Sequence, residues 1–291
     1  MQIVRAIVNA HPTRPMATNE SGMTALHVFS RNLINPEILA YLIECYPRAV
    51  EQPNNFGHLP LHKAAACRHA DGESLKALIA AYPKALLKRD KNGCTPLHQA
   101  VTGVKPSLAV CGTFIREGPK AAKRYCKRGE LPLHKMAKSF VPNENTKDTL
   151  RVLELLSEAY PDAIRCQDAK GNLPLHLAVQ KDAVNVEFVN ALLFLFPEAA
   201  ICPNLANATP QDIAINKGPL RSYNVVSALL NYTNVSEMLA RLNAADAEED
   251  DDEEALLALL ASSGYDTAFY EDAGIAPPLT IEPIAEGKEV G

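Results

Sequence analysis

Lys91-Asn92-Gly93-Cys94-Thr95-Pro96-Leu97-His98 decides the reading of this chain, because the chain keeps rewriting it. Gly57-His58-Leu59-Pro60-Leu61-His62 precedes it, and Gly129-Glu130-Leu131-Pro132-Leu133-His134 and Gly171-Asn172-Leu173-Pro174-Leu175-His176 follow. Gly22-Met23-Thr24-Ala25-Leu26-His27 opens the series, and the degenerate Asn207-Ala208-Thr209-Pro210-Gln211-Asp212 closes it. The histidine slot advances by 35, 36, 36, 42 and 36 residues, with Asp212 in the sixth place. A fixed period in this range is the signature of a stacked repeat array.

A second marker keeps the same beat. Tyr46-Pro47-Arg48-Ala49, Tyr82-Pro83-Lys84-Ala85, Gly118-Pro119-Lys120-Ala121, Tyr160-Pro161-Asp162-Ala163 and Phe196-Pro197-Glu198-Ala199 share a proline-x-alanine core, and their prolines step by 36, 36, 42 and 36. Between the markers each unit reads as a glycine-bearing turn, a short helix opened by proline at its first position, a polar linker and a longer helix. The longer helix stops at the residue before proline, which avoids helical geometry. Its apolar stripe is Leu39, Leu42 and Ile43 in the first full unit and Leu75, Leu78 and Ile79 in the second. Cys111, Phe114 and Ile115 carry it next, then Leu153 and Leu156, then Val189, Leu192 and Leu193. Val4, Ile7 and Val8 stand at the same offsets before Pro12. The chain therefore begins partway through a unit; either an upstream portion is missing or this first helix is a cap. The fourth unit is six residues longer; the extra length falls around Val141 to Thr149, where Pro142-Asn143-Glu144-Asn145 reads as a loop.

These motifs resemble the ankyrin repeat, whose units run from a turn ending in glycine through Thr-Pro-Leu-His into paired helices. The match is closest at Gly93-Cys94-Thr95-Pro96-Leu97-His98 and extends over residues 1–233, about 80% of the chain. The acid that often opens the turn is present as Asp90 and Asp168, but is Asn at 19, 54 and 204 and Cys at 126. Leu59, Leu131 and Leu173 replace threonine, so the resemblance implies no hydroxyl contact to the histidine there. The Tyr-Pro-x-Ala ending departs from the family's usual Gly-Ala turn and is similar to a divergent subfamily. The expected fold is all-α: an ankyrin-repeat solenoid of stacked helix-turn-helix units over residues 1–240, closed by a cap around Thr209 to Leu230 and a short helix from Val235 to Leu242. His27, His62, His98, His134 and His176 are then structural hydrogen bonders tying neighbouring turns. Equivalent side chains one repeat apart are too distant to share a zinc ion.

From residue 241 the composition changes. Residues 241–291 hold 14 acidic and 2 basic side chains, a net −12, whereas residues 1–240 carry +7 within an overall −5. Asp246 and Glu248 to Glu254 form a self-repelling run that favours disorder. Ala255 to Leu260 follows directly, and acids at its N-terminal side favour a short helix near 253–262. Pro277, Pro278 and Pro283 oppose regular structure beyond it. Residues 241–291 are expected to be a largely disordered acidic tail.

Apolar residues make up 47% of the chain, ample for a continuous core, and no run of 18 apolar residues predicts a membrane span. No signal peptide opens the sequence, so an intracellular protein, cytoplasmic or nuclear, is expected and the sequons at Asn207, Asn231 and Asn234 read as coincidence. The seven cysteines form no CxxC pair and read as reduced, small buried hydrophobes. His11, His58 and His69 are scattered and read as surface residues. No P-loop, nucleophile elbow, dinucleotide fingerprint or HExxH occurs, so neither catalysis nor a cofactor or metal is expected.

The basic side chains form the remaining pattern. By the resemblance, Arg31, Lys91, Lys127, Arg128, Lys138, Lys170 and Lys181 face a partner on the concave surface of turns and short helices; an ordinary solvated surface is the competing explanation. Nucleic acid and membrane are not expected as partners, since the cations lack interleaved aromatics. A monomeric, non-catalytic scaffold binding another protein is the first functional expectation, with the acidic tail folding back over the basic array when no partner is bound. The alternatives are a tail that is itself the effector segment, folding on binding through Leu256, Leu257, Leu259, Leu260, Phe269 and Tyr270, a tail that only solubilises, or a fragment of a larger ankyrin-containing enzyme.

Overall fold

The computed structural model describes residues 17–32, 36–67, 72–102, 106–140, 146–181, 184–216 and 225–230. The stripe at Val4, Ile7 and Val8, the Pro142–Asn145 segment, His11, His69, and everything beyond 230, the acidic tail included, lie outside these residues. Among the described residues the fold is all-helical, without a β-strand.

The helices come in pairs. The short members are α1 (Ala25–Asn32), α3 (Pro60–Ala65), α5 (Pro96–Ala100), α7 (Pro132–Ser139), α9 (Pro174–Val179) and α11 (Pro210–Asn216). The longer members are α2 (Pro36–Cys45), α4 (Gly72–Ala81), α6 (Leu108–Glu117), α8 (Thr146–Ala159) and α10 (Val186–Leu195), and residues 225–230 are also helical. Each short helix packs on its own longer helix and on the short helix of the next unit; the longer helices likewise pack in succession. Proline opens α3, α5, α7, α9 and α11, where its missing N–H has no intrahelical partner to lose. Ser107 caps α6 by accepting the Val110 N–H at 3.4 Å, and Asn185 caps α10 by accepting the Phe188 N–H at 2.8 Å.

The apolar stripes of α2, α4, α6, α8 and α10 meet the short helices in one connected core. Leu75, Leu78, Phe114, Leu153, Leu156, Val189 and Leu192 are fully buried in it, and the Phe140 and Phe188 rings lie 5.2 Å apart. Part of the fourth unit's extra length enters α8. That helix starts at Thr146 and runs 14 residues, against 10 in its counterparts. Asp148 in its first turn suits the helix dipole, and Thr149, Leu150 and Val152 bury its added face.

Proline-x-alanine does more than stop the longer helix. It builds a 3-10 turn in every unit: Pro47–Glu51, Pro83–Leu87, Pro119–Lys123, Pro161–Ile164 and Pro197–Ala200. The alanines at 49, 85, 121, 163 and 199 are at most 2% exposed, so the slot admits only a methyl group.

Candidate interaction face

The glycine turns carry the face. In each, the N–H of the first residue donates to the carbonyl of the fifth, as from Asp90 to Cys94 at 2.8 Å. The first side chain closes the loop from inside. Asp90 Oδ1 accepts the N–H groups of Asn92 and Cys94, both at 2.8 Å, and Asn19, Asn54, Asp168 and Asn204 do the same in their turns. The glycine at 22, 57, 93, 129 and 171 has positive φ, and Asn207 takes that conformation, at 55°, in the sixth turn.

Adjacent turns are joined by backbone. Asn55, Lys91, Lys127, Ala169 and Leu205 donate their N–H groups to the carbonyls of Ser21, Phe56, Asn92, Arg128 and Lys170, at 2.9 to 3.1 Å. At Gly93 a Cβ would lie 2.8 Å from the Lys127 nitrogen, so the close approach itself requires glycine.

The five motif histidines supply a second line of ties. Nε2 of His27, His62, His98, His134 and His176 reaches the carbonyls of His58, Cys94, Glu130, Asn172 and Ala208 at 2.9 to 3.2 Å. Nδ1 meets the backbone N–H of Thr24, Leu59, Thr95, Leu131 or Leu173 at 3.1 to 3.2 Å. A carbonyl only accepts and an N–H only donates, so Nε2 carries the proton, Nδ1 is bare and each ring is neutral. The threonine hydroxyls of Thr24 and Thr95 add a contact to Nδ1 at 2.9 Å; where leucine stands, the backbone N–H alone serves. Burial pushes all five rings below the ordinary histidine range, His62 and His98 to about 4. In the sixth unit, Asp212 Oδ2 accepts from the Thr209 N–H at 2.9 Å and its hydroxyl at 2.7 Å.

A third line of contacts was not legible in the motif. At two junctions the residue after the glycine reaches the first residue of the next turn. His58 Nε2 lies 3.2 Å from Asp90 Oδ2, and Asn204 Nδ2 donates to Asn172 Oδ1 at 2.9 Å. His58 is therefore not the surface residue expected. It is half-buried and stacked on His62 at 5.6 Å, because Asp90 and the neighbouring turn enclose it. Glu130 occupies this position in the fourth turn, with its carboxylate almost wholly buried. Lys135 Nζ lies 2.7 Å from Oε2 and Lys138 Nζ 3.1 Å from Oε1. Burial pushes the Glu130 carboxyl up, but the hydrogen bonds and charges of these lysines outweigh it and hold it down at about 2. Lys135 went unnoticed in the sequence, although 135 and 138 lie one helical turn apart and so share a face of α7.

The seven cations expected at a partner surface divide accordingly. Lys91, Lys127, Arg128 and Lys170 are exposed on the turn tips, and no ion pair holds them among the described residues. Arg31 is exposed in the last turn of α1 beside Lys63; burial, then the Arg31 charge, pushes the Lys63 amine down. Lys138 is engaged with Glu130, and half-buried Lys181 donates to the Phe140 carbonyl. Between the third and fourth turns a pocket of about 210 Å³ opens, lined by Asn92, Cys94, His98, Gln99, Thr102, Cys126, Lys127, Arg128 and Lys135. Among the described residues no group of three His, Cys, Asp or Glu side chains is placed to hold a metal ion, and no helix is long and apolar enough to cross a membrane. No protein-family model matches the chain, and no curated protein matches it in sequence.

Proposed function

We propose that this chain is a non-catalytic ankyrin-repeat solenoid that binds a partner protein through the face of its turn tips and short helices. The observation that carries the reading is the set of exposed cations Lys91, Lys127, Arg128 and Lys170, unpaired among the described residues, on tips that the backbone ladder holds at set positions, with Lys127 and Arg128 lining a polar pocket of about 210 Å³. Such a frame fixes the backbone that carries the charges, so only side-chain ordering remains to be lost on binding, and positive charge steers an acidic segment toward it. The partner segment is therefore acidic. The tail at 241–291, with its net −12, is disordered in this reading and competes with the partner for the same cations.

Affinity capture from native lysate tests this with residues 1–291, residues 1–240, and residues 1–240 carrying Lys127→Glu and Arg128→Glu. The expected result is a salt-sensitive partner, enriched more strongly by 1–240 and lost with the charge reversals while the thermal midpoint is unchanged. A partner held equally by the reversed variant sinks the reading. The acidic and apolar alternation of the tail favours a second reading, in which the tail is the effector; capture of the same partner by 241–291 alone would support it.

A further inference from the structure

Two of the seven thiols line the pocket where the third turn packs on the fourth. Cys94 follows Gly93 and Cys126 opens the next turn, so they fill the pair of positions that hold His58 with Asp90 and Asn172 with Asn204 elsewhere. At those other junctions the two side chains bond across the turns, and here both cysteines line one pocket between the turns. Both are free, and both are buried yet line the pocket. Cys126 Sγ donates toward Glu130 Oε2 at 3.6 Å and accepts the Arg128 N–H at 3.4 Å. Lys127 and Arg128, which have no ion pair among the described residues, stand in the same pocket wall.

We propose that Cys94 and Cys126 form a thiol–disulfide exchange site, which an anionic peptide disulfide of the glutathione class enters through the pocket and closes into a disulfide joining the third and fourth turns. The inference goes beyond partner binding and does not rest on it. Cys126 is the attacking sulfur. Its Sγ accepts the Arg128 N–H, at a position where Asp90 and Asp168 accept backbone N–H groups in their own turns. The Cys94 thiol is pushed up to about 12, chiefly by burial, so it is not the first to react. In the first step the Cys126 thiolate bonds to one sulfur of the small disulfide. That S–S bond breaks, and one glutathione thiolate leaves and takes up a proton. In the second step Cys94 gives up its proton to solvent and attacks Cys126 Sγ, and the second glutathione leaves as thiolate. The protein loses two protons and two electrons, and the small disulfide is reduced to two thiols. Lys127 and Arg128 attract its carboxylates.

The test uses the full reduced chain, exposed to glutathione disulfide, then alkylated, digested and mapped by mass. The expected product is a peptide pair linked through Cys94 and Cys126, returned to free thiols by a dithiol reductant. In Cys94→Ser the glutathione stays on Cys126. Recovery of Cys94 and Cys126 as alkylated thiols while exposed Cys45 carries glutathione would overturn the proposal, as would linkage of either to another cysteine. The wild-type map decides this even where a serine variant folds poorly. Lys127→Glu with Arg128→Glu slows closure by glutathione disulfide about tenfold and leaves closure by the uncharged hydroxyethyl disulfide unchanged. Equal slowing with both reagents would remove the anionic specificity.

Discussion

Gly93 is glycine for two separate reasons, and they add. Its φ is +78°, which costs an L side chain about 1–2 kcal/mol, and its Cβ would sit 2.8 Å from the Lys127 nitrogen that donates to Asn92. Gly93→Ala is expected to lower stability by roughly 2 kcal/mol or more, read from urea unfolding midpoints. Gly72 supplies the control. It opens α4 at ordinary φ with nothing near its Cβ, so Gly72→Ala is neutral or stabilises by up to about 1 kcal/mol. Equal losses at both sites would mean the tip ladder contributes nothing. Glu130 makes a second residue-scale case. Its buried carboxylate is shared between Lys135, the better enclosed partner, and exposed Lys138. Lys135→Met leaves one solvated counter-ion and is expected to cost about 2 kcal/mol, below the usual cost of stripping a buried pair because Lys138 remains. Lys138→Met, measured by the same unfolding series, should cost under about 1 kcal/mol. A larger loss at 138 would reverse the assignment. These two lysines also mark where the sequence stopped being readable. The repeat announced the glycine and histidine slots, whose neighbours are dictated by the period. Glu130, Lys135, His58 and Cys94 sit in variable slots, and what each of them meets depends on how one turn registers on the next.

At the scale of the element, the proline-x-alanine segment shows what periodicity can and cannot say. Proline ahead of a break predicts the end of the longer helix, since the residue before it cannot stay helical. Nothing in the spacing says that the chain then winds a 3-10 turn whose alanine faces the core, because the reason lies in packing against α7 and α8 in the third unit and their equivalents elsewhere. Ala121, in Pro119–Lys123, is wholly buried. Ala121→Leu inserts three carbons where there is no void and is expected to destabilise by about 1–3 kcal/mol, with an unchanged denaturant slope. The exposed neighbour Lys120 tolerates the same change within about 0.5 kcal/mol. If thermal melts of the two variants coincide, the alanine is an accident of composition and not a packing requirement. The same packing argument accounts for the length of α8, which buries Thr149, Leu150 and Val152.

For the whole molecule, the histidine line makes stability a function of pH. Every inter-turn tie through His27, His62, His98, His134 and His176 needs a neutral ring, since a proton on Nδ1 would face the backbone N–H of residue 24, 59, 95, 131 or 173. The unfolded chain has no such conflict, so its histidines take up protons near the ordinary value of about 6.5, whereas His62 and His98 resist until about 4. The folded values are depressed. The histidine contribution is therefore fully present above about pH 6.5 and declines as pH falls, and the decline ends below about 4. At about 1.4 kcal/mol for each tenfold in the proton equilibrium, His62 and His98 each account for on the order of 3 kcal/mol across that window, and the other three add in the same direction. Glu130 does not imitate this behaviour. Its carboxyl is held at about 2, so its stabilisation is lost between the ordinary carboxylate range and that value, at lower pH. Urea midpoints from pH 7 to 4 should fall steeply in the wild type. In His62→Gln with His98→Gln the amide can still donate to the Cys94 and Glu130 carbonyls but cannot titrate, so the fall should be shallower by about 1.4 kcal/mol per pH unit for each ring removed. Parallel curves for the two proteins would mean that the acid sensitivity of the array arises elsewhere than in the ties between its turns.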